Sequence, residues 1–73
     1  MGKNTRPIPD TSGKRILENA GAKRVSAQAA KEMATILLDM ADDISRKAIE
    51  LAKHGKRKTV QKKDILLASK MMK

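Results

Sequence analysis

The chain has 73 residues, 17 of them Lys or Arg and 8 Asp or Glu, for a net charge of +9 and a pI near 10.3. It has no Cys, a single His and no Phe, Trp or Tyr, which excludes disulfides, thiolate or histidine-cluster metal sites and base stacking on aromatic rings. A chain this short buries a small core, so without disulfide or metal the extra core has to come from association. The charge calls for a polyanion: duplex DNA, structured RNA or an anionic membrane.

Residues 1–10 are polar and basic, with Pro7 and Pro9 and no periodicity, and read as an extended tail ahead of one domain, 11–73. MGKNTR lacks the apolar stretch of a signal peptide, has Arg6 where a myristoylation signal wants Ser or Thr, and no apolar run approaches a membrane span. The chain is therefore expected to stay where it is made.

A short helix is expected over residues 11–20, with Ile16, Leu17 and Ala20 on its apolar side and Gly21 as its stop. Gly13 weakens its start. After the connector AKRV, Ser26 is a good N-cap. From Ala27 to His54 there is no Gly or Pro, and apolar residues fall in steps of three and four at Ala30, Met33, Leu37, Met40, Ile44, Ala48 and Leu51. A flanking set comprises Ala34, Leu38, Ala41, Ile49 and Ala52. This predicts one long helix with an apolar band wider than a coiled-coil seam, stopped at Gly55. Thr59 is the expected cap of a last helix from Val60 or Gln61 to Met71.

Two helices that each reach about 15 Å cannot cover a helix of about 40 Å. The middle of the band, at Leu37, Met40 and Ile44, would stay wet, although each such side chain is worth roughly 1.5–3 kcal/mol when buried. A second copy crossing at that middle is the simplest remedy, so a homodimer is expected.

The net charge is +5 over residues 1–31, −3 over 32–50 and +7 over 51–73. The run HGKRKTVQKKD at 54–64 alone holds five bases and one acid. Bases gathered in loops and at helix ends suit phosphates, which also favour helix N-termini. A membrane-surface helix would carry its bases along one face instead.

AGAKRVS at 20–26, one long helix and AKHGKRKTVQKKDI at 52–65 together resemble the archaeal histones, over about residues 15–70. The resemblance implies an all-α histone fold of short, long and short helices, paired in a handshake homodimer that sets loop one of one chain beside loop two of the other. It implies DNA contacts at Arg15 on the first helix, Arg24 in loop one, and Lys58 and Thr59 in loop two, with Lys56 beside them. It matches Arg57 and Asp64 to an internal salt bridge, for which a solvated acid is the plainer alternative. Leu51, His54, Asp64 and Leu67 match a contact between dimers, where the residues alone would leave His54 a solvated helix-end histidine. Gly21 matches a position where successive turns of a stacked fibre approach, besides being a helix stop.

The chain departs from the pattern at DTSGKR, where the first helix is expected to start late, and at SKMMK, where Met71 and Met72 stand in for an aromatic residue. Asp39, Asp42 and Asp43 are expected to pair with Arg46 and Lys47 along the helix. The implied function is chromatin packaging in the cytoplasm, on the nucleoid. Double-stranded DNA, a second copy in dimers and higher oligomers, and paralogous histones are the expected partners; no membrane and no cofactor is expected. A histone-fold subunit of a transcription or replication complex is the alternative. A membrane-active peptide fits the glycines and loop charges poorly. An enzyme fits least: the sequence offers no nucleophile–base pair and no phosphate-cradling Gly-rich loop.

Overall fold

The computed structural model describes residues 8–72. The first seven residues of the expected tail lie outside these. Three helices follow in order: α1 (Asp10–Asn19), α2 (Ala27–His54) and α3 (Lys62–Met71), with no strand among the described residues. The chain divides into two compact units, Met1–Asp39 and Met40–Lys73, with the boundary inside α2.

In the first unit, Pro9 stands at the N-cap of α1 in extended conformation, and Asp10 opens the helix with its carboxylate in the first turn, where the helix dipole favours it. The helix therefore begins one residue before the expected position rather than late. Gly13 is buried. A Cβ there would overlap the Ala30 carbonyl oxygen and lie 3.1 Å from Ala34 N and 3.2 Å from Met33 Cβ. The residue that looked like a helix weakness is a point where α1 packs directly on the backbone of α2, and buried Ala30 and Ala34 supply the small surface it meets. At the other end of α1, the Gly21 N–H donates to Glu18 O and the Ala22 N–H to Leu17 O, at 2.9 and 3.0 Å. That pair of bonds is a Schellman motif, and Gly21 takes the required positive φ, 117°.

Ser26 caps α2: its Oγ accepts the Ala29 N–H at 3.0 Å. At the end of α2, the Lys56 N–H donates to Lys53 O and the Arg57 N–H to Ala52 O, at 2.8 and 2.9 Å. This is a second Schellman motif, and its left-handed residue is Lys56, at φ 59°, rather than Gly55. The helix stop expected at Gly55 thus falls one residue later. Thr59 is not the cap of α3 either. The N-cap is Gln61, and α3 starts at Lys62, because the Asp64 carboxylate reaches back to accept the Gln61 N–H at 2.8 Å, one arm of a capping box.

The buried apolar side chains among the described residues are all alanines: Ala30, Ala34, Ala48, Ala52 and Ala68. Ala30 and Ala34 stand at i, i+4 in the first half of α2, as Ala48 and Ala52 do in the second, so each pair shares a helix face. Larger apolar residues are left half-covered or open: Met40 is 55% exposed and Leu66 53%, and Ile36, Ile49, Leu67, Met71 and Met72 are exposed as well. Met40, Ile44 and Met72 line a shallow cleft with Asp43. Of the expected surface pairs, Arg46 meets Asp43 at 3.8 Å, while Lys47 turns to Glu50 at 3.2 Å.

Candidate nucleic-acid interface

Loop one, the segment between α1 and α2, is shaped by the Schellman turn at Gly21 and by the Ser26 cap. Between them the chain presents Lys23 and Arg24. An open cleft of about 530 Å³ is lined by Lys14, Glu18, Lys23, Arg24, Val25 and Ser26. Three of its six lining residues are cations. Lys14 lies 4.0 Å from Glu18, an exposed i,i+4 pair that removes little of its charge. Arg24, expected from the sequence, is in this cleft. Lys14 and Lys23 are additions; the helical spacing of Lys14 to Glu18 and the adjacency of Lys23 to Arg24 were the available signals. Arg15 is exposed on α1 but is not among the cleft-lining residues.

Loop two, between α2 and α3, is built around one guanidinium. Arg57 donates from Nη1 to Asp64 Oδ2 and from Nη2 to Asp64 Oδ1, both at 2.9 Å, and from Nη1 to the Thr59 carbonyl at 3.2 Å. The fork geometry of arginine allows this bidentate pairing. Asp64 is 4% exposed and also accepts the Gln61 N–H. The Arg57 hydrogen bonds first, then the Gln61 N–H, hold its carboxyl at about 2, below the ordinary 3.8. The hydrogen bonds that Arg57 donates to Asp64 raise the guanidinium above its ordinary value. The clamp ties residues 57, 59, 61 and 64 together and leaves Lys56, Lys58 and Thr59 exposed on the outside of the loop. Thr59 contributes its carbonyl to the clamp and keeps its hydroxyl available for an outside partner.

His54 is exposed at the last turn of α2, Leu51 is half-buried and Leu67 is exposed on α3. Asp64 is committed on both oxygens to its own chain, with Oδ1 engaged by one donor only. Gly21 is exposed, and a Cβ there would meet nothing within 4 Å. Among the described residues no cluster of His, Asp or Glu could hold a metal ion, and no helix is long and apolar enough to cross a membrane.

The sequence model of the family described as histone-like transcription factor (CBF/NF-Y) and archaeal histone matches residues 6–68. The chain belongs to this histone-fold family. Among the described residues, three helices without a strand, with the long one in the middle, are that fold. The chain is 52% identical to probable archaeal histone 3 of Methanocaldococcus jannaschii over 54 residues, 74% of this chain and 81% of that protein. It is 46% identical to one subunit of the archaeal histone HAN1 of Thermococcus zilligii over 56 residues, 77% of this chain and 84% of that protein. The family resemblance read from the blocks at 20–26 and 52–65 is thereby confirmed across most of the chain.

Proposed function

We propose that this histone-fold chain is an archaeal-type chromatin protein: a homodimer that binds duplex DNA with little sequence preference and packages it. The observation that carries the proposal is the placement of charge. Both loops that flank α2 present exposed cations, Lys23 and Arg24 in one and Lys56 and Lys58 in the other, while the one loop arginine with a buried partner, Arg57, is used to hold its loop in shape. Likeness to two proteins named as archaeal histones supports the same reading over that of a transcription-complex component.

Dimerisation follows from the burial. Ten large apolar side chains are 40–55% exposed among the described residues. Covering that remainder in each is worth on the order of 1 kcal/mol, half the value of a full burial. Together this is comparable to the whole stability of a small domain, roughly 5–15 kcal/mol. Pairing of two chains brings loop one of one protomer beside loop two of its partner, so Arg24, Lys58 and Thr59 form one phosphate-binding patch, extended by Lys14, Arg15 and Lys23. Leu51, His54, Asp64 and Leu67 form the contact between dimers, with His54 donating to the unused lone pair of Asp64 Oδ1 on the neighbour. Gly21 leaves room where turns of an extended wrap approach.

Contacts of this kind read the DNA backbone and its flexibility rather than base edges. If a dimer neutralises six to ten phosphates, affinity falls roughly 10³–10⁵-fold between 50 and 200 mM salt. Nuclease digestion of long duplex DNA saturated with the protein is the matching test of assembly. A ladder of protected fragments rising by a constant step supports dimer stacking. A single short fragment keeps DNA binding but removes the dimer–dimer contact, and no protection at low salt transfers the chain to the transcription- or replication-complex reading.

A further inference from the structure

Two helices of this chain end in the same Schellman geometry, and the chain fills the left-handed position differently each time. Gly21 takes it after α1, and Lys56 takes it after α2. A lysine in the left-handed region sets its Cβ against the backbone, and a glycine does not. A glycine stands one residue earlier, at Gly55, but it has another duty. A Cβ there would lie 3.0 Å from Arg57 Nε and 3.2 Å from Nη2, so Gly55 makes room for the guanidinium that clamps Asp64.

Lys56 is unfavourable for a second reason. Lys53, Lys58, Lys62 and Lys63 are its neighbours in sequence, and the one acid among residues 51–73 is Asp64, which is taken up by Arg57. Lys56 enters no ion pair among the described residues. The dipole of α2 favours a cation at this end, but Lys53 and His54 already occupy its last turn. A residue that opposes both the backbone conformation and the local field has its compensation outside the chain.

We infer that Lys56 is a polyanion-contacting residue kept at the expense of fold stability, its left-handed backbone aiming loop two at DNA phosphate while Gly55 and the Arg57–Asp64 clamp hold that loop in place. This rests on the DNA-binding reading above and adds to it a named trade between stability and binding.

The test compares Lys56→Gly, which relieves the backbone and removes the charge, Lys56→Ala, which removes the charge alone, and Lys56→Arg, which keeps both. Urea unfolding and binding to a random-sequence duplex at 50 and 200 mM salt are measured for each. The expected result is an unfolding midpoint that rises most for the Gly variant, less for the Ala variant, which relieves the charge repulsion alone, and not at all for the Arg variant. The Gly and Ala variants should bind more weakly, and their salt slope should fall by about 0.9 for each lysine removed, or about 1.8 per dimer. That makes their deficit relative to the parent about tenfold larger at 50 than at 200 mM salt. The Arg variant should bind like the parent.

An unchanged salt slope in the Gly and Ala variants, with the parent binding steeply, overturns this inference and leaves the chromatin reading standing. A Gly variant no more stable than the parent overturns the trade and returns Lys56 to a dipole-stabilised helix end. If the parent itself shows no salt-dependent binding, both readings fall together.

Discussion

Replacing Gly13 by Ala tests the close approach of α1 to α2 at this residue. By helix propensity alone the change should stabilise α1 by about 1 kcal/mol. The structure reverses the sign. The new Cβ would overlap the Ala30 carbonyl oxygen and stand 3.1 Å from Ala34 N, and both are backbone atoms of a helix that cannot swing aside. α1 would have to withdraw by about 1 Å, enough to lose a quarter to a half of each contact it makes there. Overpacking against rigid atoms belongs at the upper end of its usual range, about 3 kcal/mol, so the net effect is a destabilisation of about 2 kcal/mol per chain. For a domain this size the melting temperature should drop by about 8–16 °C. The chain has no aromatic residue, so unfolding is followed by circular dichroism at 222 nm, at one fixed chain concentration because folding is coupled to pairing. Met33→Ala in the same background should recover little, since it removes only the side-chain part of the clash. A Gly13→Ala protein as stable as the parent, or more so, would refute the close-approach argument.

Other substitutions separate the remaining local causes. Gly21→Ala has open space around its new methyl group but a φ of 117°, so it should cost about 1–2 kcal/mol by backbone conformation alone, read as a lower urea midpoint. Ser26→Ala removes the Oγ that accepts the Ala29 N–H and should cost about 1 kcal/mol, with the helical signal lost at lower temperature. The Asp64 carboxyl is lowered from 3.8 to about 2 in the folded chain, so between these values the unfolded chain binds more protons and stability rises with pH. The unfolding midpoint should therefore decline as pH is brought from about 4 down through 2, and Asp64→Asn should flatten that part of the profile while lowering stability at neutral pH.

The strongest local signals were legible in the sequence because they act over a few residues. The Gly- and Pro-free stretch from Ala27 to His54, the Ser26 cap and the Gly21 stop each express a short-range preference, and the structure realises them at those residues. Charge segregation into the loops was equally plain, since it needs only counting. Pairwise geometry across helices was not. Gly13 reads as a helix breaker until Ala30 and Ala34 are set opposite it. Gly55 reads as a helix stop until the Arg57 guanidinium is laid over it, and Thr59 reads as a cap until Asp64 reaches back to Gln61 and moves the start of α3 two residues on from where a Thr59 cap would put it. Lys14 and Lys23 join Arg24 in one cleft only when α1 and loop one are folded together. Helix periods and caps are properties of neighbouring residues, so composition and spacing determine them; which small residue makes room for which distant group is a property of packing, and tertiary structure alone decides it.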